Sequence, residues 1–220
     1  MANIYATNIN ELVKENQINY FLSIISEEKK RRIERFHFRA DYIRSLYGDV
    51  IVRKVIEEKM KINCKDIQFD VNEYGKPYVL GVPDFQFNIS HSGDWVVCIT
   101  SLNECGIDIE KKTEVHMDIA ERFFAESEYM ALLNKKDEEQ RDYFFDLWTL
   151  KESYIKYKGK GLKIPLNSFS FDKRNESFYL NPHIEEKVLF KQYNIQSGYS
   201  LSACVEERIQ GLQYINMMLF

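Results

Sequence analysis

Residues 105–112 read CGIDIEKK. Apolar and polar side chains alternate strictly from Ile107 to Glu110, the period of a strand buried on one face. Ile107 and Ile109 then face one way, and Asp108 and Glu110 the other. Upstream, FQFNISHSGDWVVCITS (85–101) begins in alternation and ends in a continuous apolar strand. Before it, NEYGKPYVL (72–80) reads as a turn between strands, punctuated by Gly75 and Pro77. Downstream, 116–134 reads as a helix. Residues 138–158, EEQRDYFFDLWTLKESYIKYK, read as a long amphipathic helix that Gly159 stops. The remainder, 162–220, reads mainly as strands and turns.

An earlier helix is expected over 39–60, where Ile43, Leu46, Tyr47, Val50 and Ile51 recur at helical spacing. Gly48 in its interior costs about 1 kcal/mol against Ala. Close packing there, or close approach by a ligand, accounts for it.

The chain also resembles itself. Asp41-Tyr42, Leu46 and Tyr47 return as Asp142-Tyr143, Leu147 and Trp148, and Glu34-Arg35-Phe36 as Glu121-Arg122-Phe123. The F-N-I…S-G…C pattern of Phe87–Cys98 returns as Y-N-I…S-G…C at Tyr193–Cys204. Two copies at this length indicate duplication and not a solenoid. The expected fold is α+β, with two similar subdomains over 1–104 and 105–220. Each is a helix packed on a small antiparallel sheet, and the seam between them is a natural ligand cleft.

Composition bounds the function. Of 220 residues 45% are hydrophobic and 14% aromatic, which excludes disorder and low complexity. A chain this long buries roughly 70–75% of its unfolded surface and needs no staple. The net charge of -4 argues against a globally basic nucleic-acid binder. No apolar run reaches the roughly 18 residues that span a bilayer. The opening MANIYATNINELVKEN lacks the basic and apolar regions of a signal peptide. Cys64, Cys98, Cys105 and Cys204 show no C-x-x-C spacing and read as buried, reduced thiols of a cytoplasmic protein. Residues 26–44 carry a local +3 against -7 elsewhere, a solvated helix face or an anion-facing segment.

The chemistry concentrates in acids. Asp108 and Glu110 at i and i+2 sit on one strand face, roughly 6–7 Å apart at the backbone, and their side chains can converge on one cation. Mg²⁺ suits one or two carboxylates with waters and phosphate oxygens. On its own the D-x-E pair equally describes the polar face of a strand. Glu152 adds a third carboxylate, in a stretch crowded by Lys151, Lys156, Lys158, Lys160 and Lys163. Acid among base near a helix end matches a metal-bound polyphosphate. The bland counterpart is an exposed i,i+4 pair worth about a few tenths of a kcal/mol. Asn88-Ile89-Ser90-His91-Ser92-Gly93 suits a turn whose backbone approaches a ligand. Adjacent strand residues face oppositely, so Ser90 and His91 make no dyad, and G-x-S-x-G is absent. P-loop, Rossmann and zinc spacings are absent too.

Taken in order, YGKP (74–77), FNISHSGDWV (87–96), GIDIE (106–110), RFF-x₃-E (122–128) and W-x₂-KES-x₃-K-x-x-GKG (148–161) resemble the surfactin-type 4′-phosphopantetheinyl transferases. The resemblance covers about residues 20–170. It implies Mg²⁺-dependent transfer of the phosphopantetheine arm of coenzyme A to a carrier-protein serine, releasing 3′,5′-ADP. It further implies a two-lobed α+β fold with the nucleotide in the seam. Carried over by residue, Asp108, Glu110 and Glu152 become the metal ligands for Mg²⁺, with Mn²⁺ as a substitute. Lys76, Ser90 and His91 hold the adenosine and its phosphates, and Lys29 and Arg32 meet the 3′-phosphate, with Arg44 as a further candidate. Arg32 stands where several family members carry Lys, a planar fork in place of a point charge. Lys156 sits on the pyrophosphate, with Lys151 among the surrounding phosphate-binding ammonium groups. Glu152 is the expected base and Glu128 its alternative.

The implied partner is an acyl or peptidyl carrier protein, with Met117, Phe123 and Phe124 as docking candidates or, alternatively, core. Neither nucleic acid nor membrane is implied, and a duplicated chain that builds its own cleft is expected to be a monomer. The surfactin-like pattern points to nonribosomal peptide or antibiotic biosynthesis. The rivals are a Mg²⁺-dependent phosphohydrolase using the same carboxylates and a non-catalytic coenzyme A-binding module.

Overall fold

The computed structural model describes residues 1–10, 14–174, 177–181 and 188–219. Strand β1 (Ala2–Asn8) is followed by helices α1 (Glu15–Ile24), α2 (Glu27–Ile33) and α3 (Arg39–Met60). Strands β2 (Phe69–Val71), β3 (Pro77–Val79), β4 (Gln86–Ser92), β5 (Trp95–Ser101) and β6 (Cys105–Lys111) come next. Helices α4 (Met117–Phe123), α5 (Glu126–Leu133) and α6 (Asp137–Lys158) lead to β7 (Ser170–Arg174), β8 (Ser177–Asn181), β9 (Leu189–Tyr193), β10 (Tyr199–Val205) and β11 (Ile209–Tyr214).

The fold is α+β with two similar halves. Strands β11-β1-β5-β4 form the first main sheet and β6-β10-β9 the second. Each sheet carries one 22-residue helix, α3 or α6. The echo between Phe87–Cys98 and Tyr193–Cys204 falls on matching hairpins, β4–β5 and β9–β10, both antiparallel.

Alternation on β5 shows how the layers stack. Val96 and Cys98 face α3 and share a core with Val50, Ile51 and Tyr47. Trp95, Val97 and Ile99 face the opposite way and meet Ile107, Ile109, Leu201 and Ala203 of the second sheet. Leu147, Leu150, Tyr154 and Ile155 of α6 close the far side with Cys204 and Phe171. Burying apolar surface at roughly 25 cal/mol per Å² on both faces of each sheet holds the halves as one body. All four cysteines are buried thiols.

Two expectations need correction. The first main sheet is mixed: β11, from the second half of the sequence, pairs in parallel with β1. The chain therefore does not divide cleanly at 104/105, and Met217 also returns to the first core. The helix read over 116–134 is two helices. Phe124 turns inward at 3% exposure, and the Glu128 carboxylate accepts the Ala125 N–H to restart the helix. In the helix at 39–60, Gly48 is explained by packing: a Cβ there would lie 3.1 Å from Ile89 Cγ2.

Candidate active site

The halves meet along the edges of β4 and β6, and side chains make the ladder. The Asn88 side-chain oxygen accepts the Ile107 N–H at 2.9 Å, Ser90 Oγ the Ile109 N–H at 3.3 Å, and Ser92 Oγ the Lys111 N–H at 3.0 Å. Period 2 on both strands keeps the three pairs in step. The arrangement satisfies backbone donors that the edge of β6 would otherwise leave bare.

Each serine then has one proton to give, and each gives it to an acid. Ser90 Oγ donates to Asp108 Oδ1 at 2.8 Å, and Ser92 Oγ to Glu110 Oε2 at 2.8 Å. Lys156 Nζ, from α6, donates to the same Asp108 Oδ1 at 2.5 Å and to Ser90 Oγ at 3.1 Å. Helix α6 comes this close because residue 106 is glycine: a Cβ there would fall 2.0 Å from Ser153 O.

Asp108, Glu110 and Glu152 line one open cleft of about 400 Å³ with Ser90, His91, Trp148 and Lys156. Burial, then the Asp108 charge, pushes the Glu110 carboxyl up to about 7. The same two causes, in the same order, raise Glu152. Three carboxylates thus face one ammonium, an excess of negative charge that suits a cation. Asp108 adds a more specific sign: it is 2% exposed, and its Oδ2 is buried with no hydrogen-bond partner. Among the described residues no three His, Cys, Asp or Glu side chains form a ready-made metal cage. The donors fit a divalent ion that takes one or two carboxylates and completes its shell with water and substrate oxygens.

A second cavity adjoins the first and shares Glu152 and Lys156 with it. Tyr74, Gly75, Lys76 and Pro77 form one wall, and Ile155, Gly159 and Gly161 the other. The Lys76 ammonium spans the seam, donating to Glu104 and, at 3.2 Å each, to Cys105 O and Tyr157 O.

The remaining expected residues scatter. Arg44 donates to Gly93 O and Asp41, at the β4–β5 turn. Lys29 Nζ lies 4.0 Å from Asp49, which is itself paired with buried Arg53. Burial lowers the Lys29 pKa. Arg32 is exposed on α2. Two placements differ from the sequence reading. Lys151 is fully buried in the core beneath α6, beside Phe124 and Phe169, and bonded to Glu128 at 2.7 Å and to Leu166 O and Phe169 O. Glu128, 3% exposed, also accepts the N–H groups of Ala125 and Phe171. Neither lines the cleft. One residue step turns a helix by about 100°, so Lys151 leaves the face that carries Glu152. Glu128 has every oxygen engaged and is not placed to take a proton from a substrate.

Ser92 was not among the expected site residues. Its signal was the polar period of Asn88, Ser90 and Ser92 on β4, set against the acidic period of β6.

Residues 13–103 match the family model for the N-terminal part of 4′-phosphopantetheinyl transferases, and residues 104–204 that of the 4′-phosphopantetheinyl transferase superfamily. The 4′-phosphopantetheinyl transferase Sfp of Bacillus subtilis (strain 168) is 42% identical over 204 residues, 91% of each chain. The chain belongs to the 4′-phosphopantetheinyl transferase family. The transferase gsp of Aneurinibacillus migulanus is 41% identical over 193 residues, 87% of this chain and 81% of its own. A human relative, L-aminoadipate-semialdehyde dehydrogenase-phosphopantetheinyl transferase, is 35% identical over 67% of this chain and 52% of its own. In this transferase the two family models adjoin in the loop between β5 and β6, where the chain passes from the first sheet to the second. No helix among the described residues is long and apolar enough to cross a membrane.

Proposed function

We propose that this transferase moves the 4′-phosphopantetheine group from coenzyme A to a serine of an acyl or peptidyl carrier protein, releasing 3′,5′-ADP. The observation that carries the reading is Asp108: one oxygen capped by Ser90 and Lys156, the other buried without a partner beside two further acids. Asp108, Glu110 and Glu152 would hold Mg²⁺, or Mn²⁺ in its place. When bound, that ion supplies Lewis-acid neutralisation of the pyrophosphate oxygens.

The chain's own groups do the rest. The second cavity takes the adenosine, with Lys76 and His91 beside its phosphates and Lys29, Arg32 and Arg44 as cations for the 3′-phosphate. Ser90 acts through Asp108, since its proton is already committed there. The carrier serine oxygen forms a bond to the β-phosphorus, and the bond from that phosphorus to the bridging oxygen breaks. The bridging oxygen leaves with the nucleotide, and Lys156 offsets its growing charge. The serine proton passes to Glu152, the cleft carboxylate carried on the same helix as Lys156.

Met117 and Phe123, half-buried at the two ends of α4, are the proposed carrier-docking residues; Phe124 belongs to the core. The proposed setting is a cytoplasmic monomer serving nonribosomal peptide or antibiotic biosynthesis. Incubating apo carrier protein, coenzyme A and Mg²⁺ with the enzyme tests the reading by intact-mass analysis. The expected result is a gain of one phosphopantetheinyl group together with 3′,5′-ADP. Release of 3′,5′-ADP without carrier, or an unmodified carrier, would overturn it.

A further inference from the structure

Asn72 lines neither cavity, yet it joins the two walls of the second one. Its side-chain oxygen accepts the N–H groups of Tyr74 and Lys76, each at 2.9 Å. Its backbone closes the same turn, accepting from the Gly75 N–H and donating to Lys76 O, each at 2.9 Å. Both lone pairs of the side-chain oxygen are used within the turn, which leaves the amide hydrogens. One of these crosses between the lobes: Nδ2 donates to Gly159 O at 3.0 Å. Gly159 ends α6 in the left-handed region, at φ 61°, with its own N–H held by Ile155 O and Lys156 O. The contact is close, since a Cβ on Gly159 would fall 2.9 Å from Lys76 Cδ.

We infer that Asn72 is a positioning residue for the nucleotide end of the substrate. It fixes the turn carrying Lys76 against the end of α6, and so sets the width of the cavity between them. The inference rests on the reading of that cavity as the nucleotide site. It predicts an effect on binding and not on the chemical step, because Asn72 touches neither the carboxylates nor Lys156 Nζ.

Two substitutions separate the turn from the bridge. Asn72→Ala removes all three side-chain bonds. Asn72→Asp keeps both acceptor bonds and loses the donor to Gly159 O. Binding of 3′,5′-ADP is measured by calorimetry, and KM for coenzyme A and kcat by carrier modification. Both variants are expected to weaken 3′,5′-ADP binding and raise KM, Asn72→Asp about tenfold as the effect of one lost hydrogen bond at a closed contact and Asn72→Ala by at least as much, with kcat within about twofold. The Asp variant is measured at low and high salt, because charge repulsion fades with salt and a lost bridge does not. Wild-type affinity in Asn72→Asp at high salt would overturn the inference, since the turn alone would then suffice. A fall in kcat and melting temperature at unchanged KM would overturn it as well, by showing a merely structural role. If wild-type protein binds no 3′,5′-ADP, the nucleotide reading itself fails and takes the inference with it.

Discussion

Ser92 Oγ accepts the Lys111 N–H and donates to Glu110 Oε2 at 2.8 Å, so its proton direction is fixed by the strand beside it. The hydroxyl cannot turn away without leaving a backbone donor bare at the seam. It therefore holds one oxygen of Glu110, a residue that lines the cleft. Ser92→Ala is expected to lower affinity for Mn²⁺ about 10-fold, the lower end of the about 10–100-fold that losing a partner orienting a metal ligand costs. Ser92→Thr, which keeps the hydroxyl, should bind nearly as wild type. Titrating Mn²⁺ by electron paramagnetic resonance without substrates checks this apart from turnover. Equal affinity in the Ala variant would remove Ser92 from the site.

The Glu110 carboxyl also predicts a pH dependence with a definite sign. Its pKa rises from 4.5 to about 7 in the fold, mainly through burial and then through Asp108. The metal-free folded state thus binds more protons than the unfolded chain between those values. Its stability falls as pH rises through that window and stays low above about 7. Glu110→Gln carries no such charge. Without divalent ions the variant should melt above wild type at pH 8 and level with it near pH 4.5. Mg²⁺ should raise the wild-type melting temperature at pH 8 more than that of the variant. Thermal denaturation with chelator and with Mg²⁺ measures both differences, and a variant that melts below wild type at pH 8 would reverse the sign.

Local pattern carried far in this chain, and long-range pairing did not. Helices α3 and α6 were legible because a 3.6-residue period runs through each and glycine ends the second. Strand β6 was legible because Ile107 to Glu110 alternate without exception. The parallel return of β11 to β1 was not, since no local period names a partner 200 residues away. Asp108, Glu110, Glu152 and Lys156 share one cleft as their motifs suggested. Lys151 and Glu128 were misread for one reason: a charged residue inside a site motif looks like a site residue even when it faces the core. Only the helical rotation and the pairing partner show that both belong to the core.

That buried pair makes a further prediction. Lys151 and Glu128 satisfy one another and four backbone groups with almost no exposure. Removing one partner strands the other in an apolar core. Lys151→Met or Glu128→Leu should each cost about 3–5 kcal/mol of stability. The double substitution should cost clearly less than the sum, because it strands no charge. Urea denaturation of the four proteins measures the coupling. Glu128→Gln, assayed where it remains folded, should keep kcat within a few-fold of wild type. A loss of several hundred-fold at full folding would return Glu128 to the role of base.

The glycine inside α3 and the glycine of β6 beneath α6 differ in what opposes them. A Cβ at Gly48 would meet Ile89 Cγ2 at 3.1 Å, the end of a side chain that can move. A Cβ at Gly106 would meet Ser153 O at 2.0 Å and Tyr157 N at 2.4 Å, both helix backbone. Gly48→Ala should therefore change stability by no more than about 1 kcal/mol, because better helix propensity offsets slight crowding. Gly106→Ala must push α6 away from β6 and should cost about 3 kcal/mol or more. The displacement carries Glu152 and Lys156 away from Asp108, so turnover should fall even in molecules that stay folded. Chemical denaturation and carrier modification on the two variants test this together. Equal tolerance at both positions would mean that the close crossing of α6 over Gly106 does not set the spacing of the cleft.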